Sequence, residues 1–130
     1  MVTRRAGAVS TKASGDEAES RALAWLLARG LVLVQRNYRL ARGPRRHGGE
    51  IDLVMRERDG TLVFVEVRSR AASGWGGAAA SVDHRKRRSL IYAASHYLMQ
   101  YASPPPCRFD VVAIDGGRIE WLPAAFDAAS

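Results

Sequence analysis

The sequence predicts a small single-domain α/β protein in which helices flank a mixed β-sheet, with the element order αβββαββ. Apolar residues recur at helical spacing in two segments, and short β-branched runs bounded by turn residues fill the rest. The chain has 130 residues, the size of one domain. We expect residues 1–13 to be a disordered basic tail and residues 14–127 to form the domain. The predicted elements are helix 18–29, strands 31–38, 50–57 and 61–68, helix 82–101, and strands 108–115 and 118–122.

Turn and terminator residues justify the boundaries of these elements. Gly30 follows the apolar stripe of the first helix and is expected to end it. Asp59-Gly60 joins the second and third strands, and Gly116-Gly117 joins the last two. Three consecutive prolines from Pro104 stop the second helix, because proline cannot continue one.

The register of the central hairpin follows from where its apolar residues must face, because a one-residue slip turns every side chain to the other face. A two-residue loop would place apolar residues opposite charged ones. A three-residue loop with Gly60 left-handed pairs Glu57 with Thr61 instead. One face then consists of Ile51, Leu53 and Met55 opposite Val67, Val65 and Val63, and the other of Glu50, Asp52 and Val54 opposite Arg68, Glu66 and Phe64.

This register places the carboxylates of Asp52 and Glu66 directly opposite each other, with side-chain carbons about 5 Å apart. Like charges at that distance are destabilising, so one must protonate or a cation must bind. A hard divalent cation such as magnesium would resolve the conflict through oxygen ligands. The alternative is that Arg68 and Glu50 neutralise the pair on a wet sheet face.

A third carboxylate, Glu19, lies on the same stripe of the first helix as Ala22, Leu23 and Leu26. A glutamate on a core-facing stripe is unusual, and we expect it to face the polar side of the sheet. The alternative is an anion at the helix N-terminus that the helix dipole favours.

Charge and composition limit the classes of function. The net charge is +7, with cations clustered in residues 42–47 and 85–88, and such clustering is typical of proteins that bind nucleic acid. The alternative is a solvated basic surface. The single Cys107 excludes an internal disulfide and a cysteine zinc site, so we expect a reducing cytoplasm. No apolar run approaches the ~20 residues of a membrane span, and the N-terminus lacks the apolar middle of a signal peptide.

The second basic cluster lies in the first turns of the second helix, where the helix dipole disfavours cations. A bound phosphate would make this placement favourable and would also use the terminal N–H groups. Trp75, in a Gly/Ala-rich loop, is available to stack on a base, with a plain flexible connector as the alternative. Asp110 is expected to be a structural partner of Arg108 or of a nearby amide.

The motifs carry a resemblance to a known family. A helix Glu, then "GGEIDL" and "VFVEVRSR" on adjacent strands, resembles the PD-(D/E)XK nuclease superfamily and its Holliday-junction resolvase branch. With "GGAAASV", "CRFDVVA" and the closing "AAF", the chain more closely resembles the YraN family of uncharacterised bacterial proteins, from Gly15 to about Phe126. The resemblance implies a restriction-endonuclease-like core, binding of DNA, and cleavage of branched or flapped DNA that depends on Mg²⁺ or Mn²⁺. Resolvases of the superfamily act as dimers, which implies a homodimer.

The resemblance also implies roles for individual residues. Asp52 and Glu66 would be the metal ligands, with the carbonyl of Val67, and Glu19 would complete the shell through water. Arg68 stands where the superfamily commonly has lysine, and an arginine cannot act as a general base because it stays protonated. The metal would therefore have to activate the attacking water, and Lys86 is the other candidate for the missing ammonium. The predicted nucleic-acid contacts are Arg42, Arg45, Arg46, Arg70, Trp75, Arg85, Lys86, Arg87 and Arg88.

Two further functions stay open at this point. One is a non-catalytic nucleic-acid-binding module with a degenerate nuclease pocket, which Arg68 favours. The other is a protein-interaction subunit, which the basic clusters disfavour. The acidic set of Glu19, Asp52 and Glu66 favours the nuclease.

Overall fold

The structure is a computed structural model that describes residues 11–41, 48–70 and 82–128. Its elements run in the predicted order αβββαββ, which confirms the fold class. They are α1 (Thr11–Ala28), β1 (Val32–Leu40), β2 (Gly49–Arg56), β3 (Leu62–Arg70), α2 (His84–Leu98), β4 (Cys107–Asp115) and β5 (Arg118–Phe126). Across these ranges, no helix combines the length and apolar character that crossing a membrane requires.

The five strands form one mixed sheet in the order β1-β2-β3-β4-β5. Three neighbouring pairs are antiparallel, and β3 pairs with β4 in parallel. A parallel pair needs a long crossover connection, and the segment that contains α2 provides it.

A helix covers each face of the sheet, so the core has two layers. On the face that we call the α1 face, Leu53, Val63 and Val65 pack against Ala22 and Leu26 of α1. On the opposite face, the α2 face, the apolar side chains of β2, β3 and β4 pack against α2; these are Ile51, Val54, Leu62, Phe64, Phe109 and Val111. The charged site described below lies where β2 and β3 meet between these layers.

Three predicted elements differ from the structure by three or more residues at one end. Helix α1 begins at Thr11 rather than at residue 18, so residues 11–13 of the predicted tail lie in the helix, while residues 1–10 lie outside the described residues. Helix α2 runs from His84 to Leu98 rather than from 82 to 101. Strand β5 continues to Phe126 instead of ending at residue 122. It passes through Pro123 because it is an edge strand, where a missing N–H removes no ladder bond on the open side.

The predicted hairpin register is confirmed between the turn and the pair Leu53–Val65, where the ladder ends. The predicted ladder pairs Ile51–Val67, Asp52–Glu66 and Glu50–Arg68 do not form, and Glu50 forms an ion pair with Arg39 instead. Leu53 pairs with Val65, Val54 with Phe64 and Met55 with Val63. The Glu57 N–H donates to the Thr61 carbonyl at 2.9 Å, and Gly60 has a φ of 95°. Gly60 therefore adopts the left-handed conformation that the three-residue loop requires.

The predicted face of Ile51 is wrong. Ile51 packs on the α2 face, whereas Leu53, two residues later, packs on the α1 face. Arg36 and Tyr38, their partners in β1, divide in the same way: Arg36 contacts α1, and Tyr38 contacts α2 through His96. Asn37, between them, has a φ of 57°. A left-handed residue breaks the alternation of a strand, so the chain turns over at Asn37 and at the facing Asp52.

Gly49 allows β2 to lie directly on α2. A Cβ atom at this position would come within 3.0 Å of the Cβ of Ala93 and of the carbonyl oxygen of Ser89. The glycine before Glu50-Ile51-Asp52 is therefore a packing requirement, which holds the start of β2 against the helix.

Candidate active site

Asp52 lies at the turnover point of β2 and bonds to the neighbouring strand through its side chain. The β2–β3 ladder extends as far as the pair Leu53–Val65, and beyond it the Asp52 Oδ2 accepts a hydrogen bond of 2.8 Å from the Val67 N–H. Asp52 is buried, with 8% of its surface exposed. The side chain thus takes the place of a strand carbonyl, which fixes the carboxyl group between the two strands.

Glu66 occupies β3 beside Asp52 and is bordered by two cations. The Glu66 Oε2 is 3.4 Å from the Arg68 Nη1 and 3.8 Å from the Lys86 Nζ, and Glu66 is buried. Lys86 comes from the first turn of α2, so α2 contributes directly to the site. The carboxyl groups of Asp52 and Glu66 lie close enough for each to affect the pKa of the other.

Burial and mutual repulsion make it unfavourable for both carboxyl groups to be ionised at the same time. Burial is the largest cause that raises the pKa of Asp52, to about 8, and the neighbouring Glu66 raises it further, while the Val67 N–H acts to lower it. Burial also raises the pKa of Glu66, against the opposite effect of Lys86 and Arg68. Two acidic groups in such a position favour either one bound proton or a bound cation.

Glu19 approaches the pair from α1 but is turned toward a different partner. It lies in the middle of the helix, about two turns from its start, so it is not an anion at the helix N-terminus. It is buried, it raises the pKa of Asp52, and its Oε1 lies 3.6 Å from the Arg36 Nε. Arg36 also donates to the Ser20 hydroxyl at 2.9 Å and to the Asp16 carbonyl at 3.2 Å.

The arrangement fits a divalent metal through a pair of ligands. Within residues 11–41, 48–70 and 82–128, no group of three His, Cys, Asp or Glu side chains is gathered closely enough to hold a metal ion. Asp52 and Glu66 nevertheless offer hard oxygen ligands with excess negative charge, the chemistry that Mg²⁺ and Mn²⁺ prefer. The buried Oε1 of Glu19 has no hydrogen-bond partner among the described residues. A cation with bound water would therefore find a third acceptor next to the pair.

The predicted nucleic-acid contacts are only partly within the described residues. Arg42, Arg45, Arg46 and Trp75 lie outside them, and Arg70 is described only as the last residue of β3. On α2, Arg85, Lys86 and Arg88 are exposed. They form an exposed basic surface beside Glu66.

Two contacts within the protein involve groups of α2 that we expected to bind phosphate. The Asp83 side chain caps the helix and accepts a hydrogen bond from the Lys86 N–H at 3.0 Å. A phosphate would therefore compete with a carboxylate for the terminal N–H groups that we expected it to use. Arg87 is half-buried, donates to the Val82 carbonyl at 3.2 Å and lies over the Phe126 ring at 5.2 Å, so it serves the packing of α2.

Asp110 is a structural residue, as the sequence predicted. Its buried carboxylate accepts two hydrogen bonds from Arg108, one from the Trp121 indole at 2.8 Å and one from the Ala124 N–H at 2.9 Å. The last bond holds Ala124 at a φ of 50°, where β5 bends. With all its acceptors occupied, Asp110 has no free capacity for a metal.

Sequence reasoning missed two residues of the site, Arg36 and Asn37. Arg36 is the direct partner of Glu19, and Asn37 faces Asp52 across β1 and β2. The only signal was an asparagine inside a predicted strand, where asparagine is disfavoured and tolerates the left-handed conformation.

Comparison with other proteins identifies close relatives of the whole chain. The sequence profile described as uncharacterised protein family UPF0102 matches residues 18–114. A UPF0102 protein of Methylibium petroleiphilum is 67% identical over 121 residues, which cover 93% of this chain and 99% of the relative. A UPF0102 protein of Acidovorax is 59% identical, over 98% of this chain and 95% of the relative. Another, from Paracidovorax citrulli, is 60% identical, over 92% and 86%.

Proposed function

The chain belongs to the uncharacterised protein family UPF0102, and we propose that it is a metal-dependent endonuclease of the PD-(D/E)XK superfamily that hydrolyses phosphodiester bonds in DNA. The observation that carries the proposal is the buried pair of Asp52 and Glu66 with Arg68 and Lys86 beside it. Two buried carboxyl groups side by side reduce stability when both are charged. Binding of Mg²⁺ or Mn²⁺ between the two carboxylates would neutralise this repulsion.

The residues divide into a metal-binding part and a phosphate-binding part. Asp52 and Glu66 would hold the ion, with Glu19 as the outer acceptor. When bound, the ion supplies a Lewis acid and an activated water for attack on phosphorus. Arg68 and Lys86 carry the positive charge that binds the scissile phosphate and stabilises the charge that develops on it. Lys86 stands within 3.8 Å of Glu66, so α2 can supply the ammonium that β3 lacks.

DNA binding is assigned to the exposed cations of α2. Arg85 and Arg88 are exposed on the helix that bears Lys86, so a strand bound there would pass the acidic pair. These residues contact phosphates rather than bases, and binding is therefore expected to be weak, independent of sequence and strongly dependent on salt. A flapped or branched substrate would follow from the superfamily resemblance.

One cleavage experiment tests the proposal directly. Single-stranded, duplex, flap and four-way junction DNA are incubated with the protein and Mg²⁺ or Mn²⁺, with Asp52→Asn purified in parallel as the control. The variant keeps an oxygen that can accept from the Val67 N–H, so it isolates the lost charge. We expect cleavage by the parent and none by the variant, while both bind DNA. Equal cleavage by the two would reveal a contaminant and contradict the proposal.

The second candidate is a DNA-binding module without catalysis, and Arg68 in the place of lysine is the observation that favours it. A module would bind DNA with the same salt dependence. It would cleave none of the four substrates, and Mn²⁺ would not raise its melting temperature. A protein that neither binds DNA nor responds to Mn²⁺ would contradict both candidates.

A further inference from the structure

Among the described residues, the buried side-chain nitrogen and oxygen atoms without a hydrogen-bond partner lie on neighbouring elements of the fold. In the described part of the chain they are the Oε1 of Glu19, the Nε of Arg36 and the Oδ1 of Asn37. All three belong to α1 and β1, where these elements meet the turnover point of β2. Buried polar atoms in folded proteins nearly always have a partner, and a group of exceptions indicates a water or an ion.

Asn37 differs from the other two because no counter-charge serves it. The Glu19 Oε1 and the Arg36 Nε are 3.6 Å apart and attract each other electrostatically. The Asn37 Oδ1 is a neutral acceptor at the position that faces Asp52, between the paired residues Arg36–Leu53 and Tyr38–Ile51. A buried carbonyl oxygen of this kind requires a donor, and a water molecule is the smallest donor that fits beside a carboxylate.

We infer that the carboxamide oxygen of Asn37 is a positioning group of the acidic site, which accepts a hydrogen bond from a water of the hydrated divalent cation held by Asp52 and Glu66. The inference rests on the proposed function for the cation. Magnesium and manganese keep several waters when proteins bind them, and those waters need fixed acceptors. Glu19 and Asn37 carry the two buried side-chain acceptors without a hydrogen-bond partner among the described residues. Asn37 therefore orients the cation without contacting the substrate.

The backbone of Asn37 allows the side chain to be tested separately from the fold. Its φ of 57° is accessible to glycine without strain, and asparagine and aspartate are the side chains that tolerate it best. Asn37→Gly removes the oxygen and keeps the left-handed turn. Asn37→Asp keeps the oxygen and adds a negative charge next to Asp52. Gln35→Ala, at an exposed amide two residues away, is the matched control.

The experiment measures Mn²⁺ binding to the full chain by titration and by the shift in melting temperature. We expect Asn37→Gly to weaken Mn²⁺ binding about tenfold, the usual effect of losing an outer-shell partner. Asn37→Asp should strengthen Mn²⁺ binding and lower the melting temperature of the metal-free protein. Gln35→Ala should change neither quantity.

Unchanged Mn²⁺ binding in a folded Asn37→Gly protein would overturn this inference but not the proposed metal site. Asn37 would then serve only the left-handed turn of the backbone. If that variant does not fold, Asn37→Asp decides: tighter binding supports the inference, and equal or weaker binding overturns it. A parent protein without any Mn²⁺ response would overturn the proposed metal site and this inference together.

Discussion

The side chain of Asp52 accepts a hydrogen bond from the backbone N–H of Val67, 2.8 Å away, where the ladder between β2 and β3 has ended. This bond lets two neighbouring strands separate without leaving a buried N–H unpaired. The bond also fixes the position of the Asp52 carboxyl group beside Glu66. In a regular ladder, the backbone would pair and the side chain would not be fixed in this way. The same residue therefore maintains the fold at this point and carries the charge of the candidate site.

Asp52→Asn and Asp52→Ala should affect stability differently in the presence of a chelator. The asparagine can still accept from the Val67 N–H and removes one charge from the pair, so we expect this variant to be at least as stable as the parent at pH 9. The alanine leaves the N–H without an acceptor, which costs about 1–3 kcal/mol relative to asparagine. Urea unfolding at pH 9 measures both. Equal losses in the two variants would mean that the Asp52 charge stabilises the fold through its neighbours.

The stability of the metal-free protein should fall as pH rises. The pKa of Asp52 is about 8 in the folded protein and near 3.8 in the unfolded chain. Between these values the folded state holds a proton that the unfolded state has released, so the contribution of protonated Asp52 to stability is full below about pH 4 and is lost progressively until about pH 8. The slope can reach about 1.4 kcal/mol per pH unit. Urea midpoints from pH 5 to pH 9 test the direction, and Asp52→Asn should flatten the curve.

Metal binding should release a proton from the same pair. A metal ion requires ionised carboxylates, so it must displace the proton that the pair holds. If one proton is displaced, the apparent affinity for metal rises about tenfold per pH unit below the pKa of Asp52. We expect Mn²⁺ affinity to increase from pH 6 to pH 8 and to level off above it. Calorimetry in two buffers with different ionisation enthalpies measures the released protons. A pH-independent affinity without proton release would contradict metal binding at Asp52.

The sequence predicted those features whose contacts lie within one hairpin or one strand. The hairpin register followed from the segregation of Leu53, Val65 and their neighbours, and a left-handed Gly60 was needed to close it. The structural role of Asp110 also followed, because Arg108 is two residues away on the same face of β4. In both cases the partner lies within one hairpin or one strand.

The parts that the sequence did not predict depend on contacts between distant elements. Ile51 was assigned to the wrong face because the strand turns over at Asn37 and Asp52, and strand alternation alone cannot show such a turn. The contact between Glu19 and Arg36 joins α1 to an edge strand, and no local pattern in either segment predicts that the two residues meet. The cap at Asp83 was missed because the basic run beside it dominated the pattern.

Asp110 should behave as a structural acid, in contrast to Asp52. Asp110→Ala leaves the Trp121 indole N–H and the Ala124 N–H without their acceptor and removes one of the two carboxylates that pair with the half-buried Arg108, and each buried donor left unsatisfied costs about 1–3 kcal/mol. We expect this loss in urea unfolding. At temperatures where the variant is folded, its Mn²⁺ affinity should equal that of the parent. Reduced Mn²⁺ binding with unchanged stability would place Asp110 in the metal site.

The exposed arginines of α2 should set the salt dependence of DNA binding. Arg85→Gln combined with Arg88→Gln removes two phosphate contacts, and each contact contributes about 0.9 to the slope of log affinity against log salt concentration. We therefore expect the slope to fall by about two. Arg58→Gln, in the β2–β3 turn at the other end of β3, changes the charge on a remote surface and serves as the control. An equal fall with Arg58→Gln would show that net charge alone governs binding.

Lys86 and Arg68 should differ in their contribution to cleavage, although both lie beside Glu66. Lys86→Met removes the only ammonium that the described residues place within 4 Å of that carboxylate, and loss of one transition-state donor typically lowers the rate about 10²–10³-fold. Arg68→Lys keeps a cation on β3 and introduces the residue common in the superfamily that we propose for this chain, so we expect it to retain cleavage. Single-turnover rates at saturating DNA separate this effect from weaker binding. If Arg68→Lys abolishes cleavage while Lys86→Met preserves it, the guanidinium on β3 is the group that acts on the phosphate, and α2 only binds the strand.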